Sequence, residues 1–98
     1  MTLTKHAEIR MTERIITLQD VYNCIAFGTL STTREGHKKY TDKMINVVLD
    51  ANTNTVITCF YISKINHKIE KILRKSKNKI NKRQAIMIVR GDLIVSTI

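Results

Sequence analysis

The chain has 98 residues, 43% hydrophobic and 26% charged, with 17 Lys/Arg against 8 Asp/Glu for a formal net charge of +9. That length fits one domain, and the ordinary globular balance argues against a disordered chain. No apolar run approaches the roughly 18 residues of a membrane span, and none follows the charged N-terminus as a leader would, so a single cytoplasmic domain over residues 1–98, beginning at Met1 and without a membrane partner, is expected.

Thr4 can cap a first helix running to Arg14, in which Leu3, Ala7, Met11 and Ile15 recur every four residues as one buried face. Thr17-Leu-Gln-Asp20 has the form of a capping box and starts a second helix. Leu18, Val21, Tyr22, Ile25 and Ala26 form its inward face, and Gly28 ends it. Residues 29–34 are threonine-rich and lean to strand, and Glu35-Gly36 marks a turn. Residues 40–49 read as one strand with Ile45, Val47 and Leu49 on one face; Asp50 to Asn54 is a hairpin loop, and residues 55–62 are the next strand. From Ile62 the spacing becomes helical, and Ile65, Ile69, Ile72, Leu73 and Ile80 can lie on the sheet with the cations outward. The tail QAIMIVRGDLIVSTI reads as two short strands about a turn at Arg90-Gly91-Asp92, or as one edge strand able to pair with another chain. The predicted fold is α+β: two N-terminal helices, a small antiparallel sheet, one long basic amphipathic helix and a C-terminal β-hairpin or edge strand.

Cys24 and Cys59, in a helical and a strand pattern beside apolar neighbours, are expected as buried free thiols, since neither has the spacing of a zinc site or a redox pair. No paired carboxylates, Gly-rich phosphate loop or HExxH element is present, so no metal and no cofactor is expected. The positive charge is local. Residues 64–83 carry nine Lys/Arg and one Glu, a balance of +8, while the rest hold eight basic and seven acidic residues, a balance of +1. Clustered cations are the footprint of a polyanion, by counterion release from phosphates. Lys64, Lys68, Lys71, Arg74, Lys75, Lys77, Lys79, Lys82 and Arg83 are therefore candidate nucleic-acid contacts. Codon bias toward lysine, an acidic protein or an anionic membrane surface are the competing explanations.

A second pattern lies in the first helix, where His6, Arg10 and Arg14 stand four residues apart. A solvated helix face is the plainer reading of that row. An anion bound across it would relieve three like charges at once, with forked guanidinium donors for phosphate oxygens and an imidazole able to move a proton. Thr58, Tyr61 and Tyr40 are further hydroxyl candidates, and His37 and His67 are surface residues that can touch phosphate.

The stretch H-A-x-x-R-M-x-x-R-x-I from His6 to Ile16, followed by T-x-x-D-V from Thr17 to Val21, resembles the opening of a small bacterial domain family of unknown function. Tyr40, the run INVVLD at residues 45–50 and VITCFY at 56–61 continue the likeness, which covers about the first two-thirds of the chain. It departs in two places, at Ile16, where a glycine often follows the second arginine, and in the tail after residue 63, which the resemblance does not explain. The family is grouped with the barnase–EndoU–colicin–RelE superfold of metal-independent ribonucleases. The resemblance thus implies a RelE- or barnase-like domain with His6, Arg10, Arg14 and Thr58 as the site and Tyr61 beside them. It further implies an RNA-cleaving toxin of a toxin–antitoxin or contact-dependent system, with an acidic antitoxin or immunity protein as partner. The alternative is a non-catalytic nucleic-acid-binding module that uses the basic helix.

Overall fold

A computed structural model describes residues 1–77 and 79–97. The backbone falls into two compact units, Met1–Ile62 and Ser63–Ile98. In the first, α1 (Lys5–Arg14) and α2 (Leu18–Phe27) precede β1 (Thr29–Thr32), β2 (Lys38–Thr41), β3 (Ile45–Leu49) and β4 (Val56–Tyr61). Each strand pairs antiparallel with the next, in the order β1-β2-β3-β4. The α+β class expected from the sequence is the observed one.

Local chemistry sets the helix starts. Thr4 Oγ1 accepts the Ala7 N–H at 3.0 Å, and Thr17 with Asp20 forms the full reciprocal capping box. At the other end of α2, Gly28 has an ordinary φ of −79°. It is small for a steric reason: a Cβ there would collide with the Cys24 carbonyl and stand 2.9 Å from the Thr41 carbonyl oxygen. The inward face of α2 differs from the expected one. Val21 and Cys24 are buried and Ile25 is half-buried, whereas Leu18, Tyr22 and Ala26 are exposed. The small Cys24 side chain takes the inward position because its Sγ reaches the Tyr40 and Ile45 carbonyls, at 3.3 and 3.5 Å, and lets the helix approach β2 and β3 closely.

Residues 40–49 are two strands, not one. Asp42 Oδ1 accepts the N–H groups of Met44 and Ile45, at 2.7 and 2.8 Å, and turns the chain back on itself between β2 and β3. The hairpin at residues 50–54 follows the same logic, with Asp50 Oδ1 accepting from Asn52 and Thr53 and Asn54 at φ 56°. Those two N–H bonds hold the Asp50 carboxyl below the usual carboxylate range. A bulge at Ile57 interrupts the β3–β4 register, so Leu49, Val47 and Ile45 face Val56, Cys59 and Tyr61. These six buried residues share one face of the sheet, with Ala7 and Met11 of α1 and Val21 and Cys24 of α2 completing the core. Cys24 and Cys59 are free and buried, and desolvation pushes their thiols up to about 12 and about 11.

The second unit packs α3 (Ser63–Lys75) against α4 (Lys82–Thr97). Ile65 and Ile69 are the buried residues of α3. Two expectations are corrected here. The basic segment 64–83 is not one helix, because α3 closes after Lys75 and Lys77 takes a left-handed φ of 53°. Lys82 and Arg83 therefore belong to the first turn of α4, and Lys77 and Lys79 to the connection. The tail is a helix rather than a hairpin or an edge strand, so a C-terminal strand pairing between chains has no strand to use. Asn81 caps the Gln84 N–H at 2.8 Å while Gln84 Oε1 accepts the Asn81 N–H at 2.9 Å, and Ala85, Ile86 and Val89 are buried at helical spacing. Arg90-Gly91-Asp92 lies within α4 and makes no turn. Among the described residues, no helix is long and apolar enough to cross a membrane.

Candidate functional site

α1 is fastened to β4 at both ends. At its start, the Thr4 N–H donates to the Val56 carbonyl at 3.0 Å and Thr4 Oγ1 donates to the Ile57 carbonyl at 3.1 Å. At its end, Arg14 Nη1 donates to the Cys59 carbonyl at 2.6 Å, and the buried Tyr61 hydroxyl donates back to the Arg14 carbonyl. The row His6, Arg10, Arg14 runs between these anchors. Four residues of helix advance about 40° beyond a full turn, so the row slants round the axis. Accordingly His6 is exposed, Arg10 is intermediate, and Arg14 lies over the strand.

Arg10 has a partner of its own, with Nη1 2.8 Å from Glu13 Oε2. The two side chains are 38% and 53% exposed, so the pair contributes only about 0.2–1 kcal/mol. Arg14 differs, since one of its donors is committed to a backbone carbonyl on the outer edge of β4. Tyr61 is 3% exposed and its hydroxyl is likewise committed, which leaves no ring face for stacking a base. Thr58 stands apart from the rest. Side chains alternate along a strand, and with Cys59 and Tyr61 turned to the α1 side, Thr58 and Phe60 project from the other face. The five candidates thus divide into His6 and Arg10 on an accessible helix flank, Arg14 and Tyr61 fastening α1 to β4, and Thr58 across the sheet. Tyr40 is half-buried opposite Leu30 and Val47, and His37 lies at the β1–β2 turn.

On α3, Lys64, His67, Lys68, Lys71, Arg74 and Lys75 are all exposed, opposite the buried Ile65 and Ile69. Lys68, Lys71 and Lys75, three and four residues apart, border a shallow pocket with Ile72, Val89 and Asp92. A phosphate there meets three ammonium groups and one carboxylate. Arg74 and Lys75 also complement the helix dipole in the last turn of α3. Lys77, Lys79, Lys82 and Arg83 extend the positive charge beyond it, all of them exposed. Among the described residues no group of three His, Cys, Asp or Glu side chains gathers as metal ligands do.

Residues 3–63, more than half of the chain, match the domain of unknown function DUF4258. The chain belongs to that family. The DUF4258 segment ends at the start of α3 and so contains the whole His6–Arg14 row and all four strands, but none of the basic residues from Lys64 onward. Neither a curated protein nor a solved structure matches the chain.

Sequence spacing found the row, Glu13 three residues from Arg10 and the cationic segment, but missed the anchoring of Arg14 and Tyr61. Bonds to backbone carbonyls 45 and 47 residues away leave no such trace in the sequence.

Proposed function

We propose that this DUF4258 protein binds RNA through the cations of α3 and the segment after it, and cleaves it without a metal at the His6–Arg10 flank of α1. The observation that carries the reading is the charge distribution. Residues 63–98 hold ten basic and two acidic residues, a balance of +8, against +1 for residues 1–62. At the flank, His6 is the general acid or base and Arg10 the phosphate clamp, with Glu13 released as the phosphate takes its place. The 2′-hydroxyl attacks the adjacent phosphorus, the 5′-oxygen leaves with a proton, and a cyclic phosphate end remains. Arg14 then acts by positioning, because its side chain and carbonyl tie the end of α1 to β4. The likeness to the barnase–EndoU–colicin–RelE superfold supports the same chemistry, and with it a growth-arresting toxin held in check by an acidic antitoxin or immunity protein.

The second reading is a non-catalytic RNA-binding module. It is favoured by a specific observation: of five candidate catalytic side chains, two are committed to backbone carbonyls and one lies across the sheet. Incubating the purified protein with structured and single-stranded RNA in EDTA separates the two. Cleavage to cyclic-phosphate ends that falls 10²–10⁴-fold in His6→Ala and Arg10→Ala, with circular dichroism unchanged, establishes the nuclease. Intact RNA in a complex that weakens steeply with salt establishes the binding module.

A further inference from the structure

The two edges of the sheet are treated differently. Beyond β4 the chain closes its own edge: Val56 donates to the Thr2 carbonyl at 2.9 Å, Thr4 donates to Val56, and the Arg14 guanidinium covers the Cys59 carbonyl. Beyond β1 there is no further strand among the described residues, and all four residues Thr29–Thr32 are exposed. The ladder shows which backbone groups face out. Thr33 N–H donates to the His37 carbonyl at 2.9 Å, flanking the Thr32–Lys38 pair, so Thr32 is in a non-hydrogen-bonded pair with β2. Its own N–H and carbonyl therefore point away from the sheet, and by alternation so do those of Leu30. Two donors and two acceptors are presented in strand geometry. β1 is short, four residues, but it has no charged side chain, no proline and no register shift to block pairing.

We propose that this edge receives an extended, acidic strand of a partner protein, added antiparallel or parallel to β1 as a fifth strand. Two features select that occupant. Phe27 and Leu30, at 85% and 53% exposed, offer an apolar contact beside the strand. Arg34 and Lys39 add positive charge beside it, Lys39 being the register partner of Ser31, against the single Glu35 of the same hairpin, while the Lys38 ammonium is turned away to Asn54 Oδ1 at 3.2 Å. A second copy of the chain fits less well. Pairing β1 with β1 sets the Arg34 and Lys39 cations of one copy beside those of the other, adding like charge to like. The proposal is independent of whether the protein cuts RNA.

The test uses the full chain, with amide hydrogen exchange read by NMR in the presence of millimolar eight-residue peptides of alternating Glu-Val or Lys-Val. The Glu-Val peptide slows exchange at the Leu30 and Thr32 amides at least tenfold, and the Lys-Val peptide binds at least tenfold more weakly. Leu30→Pro removes an outward N–H without breaking a bond to β2 and abolishes the protection. Thr32→Pro does the same should the first variant fold poorly, and Lys39→Glu weakens binding while leaving the backbone intact. Protection confined to residues 64–83, equal binding of both peptides, or protection of Leu30 and Thr32 that rises with protein concentration in the absence of peptide overturns the proposal.

Discussion

Gly28 and Ile15 occupy each other's expected conformations. Glycine at 28 has an unremarkable φ, yet has no room for a side chain between the carbonyls of Cys24 and Thr41. Isoleucine at 15 sits at φ 55°, the left-handed region, with its N–H returning to Met11 and Thr12 in the turn that ends α1. A β-branched residue there costs about 1–2 kcal/mol. Glycine is the residue that conformation favours, so the junction at Ile15 carries strain. Gly28→Ala should destabilise by about 1–3 kcal/mol from overpacking. Ile15→Gly should change stability by less than about 1 kcal/mol, because relief of the left-handed strain offsets the lost half-buried side chain. Urea denaturation of both variants checks the pair. The two thiols give a pH signature. Their folded values, about 12 and about 11, lie above the ordinary 9.0, so the folded state holds protons that the unfolded state releases. Their stabilisation is complete below pH 9 and is lost as pH rises toward 11–12. Thiolate absorbance of the folded protein should appear only above about pH 10, and Cys24→Ala/Cys59→Ala should lose less stability than wild type between pH 9 and 11.

Helix starts were the most legible features of the sequence because their chemistry is local. Thr4 and the Thr17–Asp20 box mark α1 and α2 within a few residues. The same kind of signal marks α4, where Asn81 and Gln84 form a reciprocal cap. The Ile- and Val-rich tail nevertheless reads as strand, because β-branched composition competes with the i, i+1, i+4 burial of Ala85, Ile86 and Val89. The split of residues 40–49 turns on a single carboxylate, Asp42, which a periodicity count does not weigh. α3 was legible in its apolar stripe and not in its end, since no glycine or proline marks the left-handed Lys77. Its cationic face makes a quantitative prediction. If Lys68, Lys71 and Lys75 each neutralise one phosphate, Lys68→Glu/Lys71→Glu/Lys75→Glu should reduce the slope of log K against log salt by about 2 for single-stranded RNA. Fluorescence anisotropy titrations at four salt concentrations measure it; a parallel line shifted by a constant would mean those lysines lie outside the footprint.

Across the whole molecule, the recognition and the chemistry we propose are divided between the two units in sequence. The DUF4258 segment carries His6 and Arg10 and is nearly neutral, while the residues after it carry the excess charge. Such a division predicts that binding and cleavage can be removed separately. The α3 charge reversal should lower RNA affinity and raise KM with kcat little changed, because it removes interactions made equally in the ground and transition states. His6→Ala should do the reverse, lowering kcat by 10²–10⁴ with KM and salt slope near wild type, because the imidazole acts only as the proton moves. Growth arrest on expression follows the product of both steps, so each variant alone should relieve it. Only His6→Ala should still protect the RNA it binds from an added nuclease. A protein in which both variants lower affinity together and neither changes turnover would have its His6 row inside the binding footprint, and the division of labour would be lost.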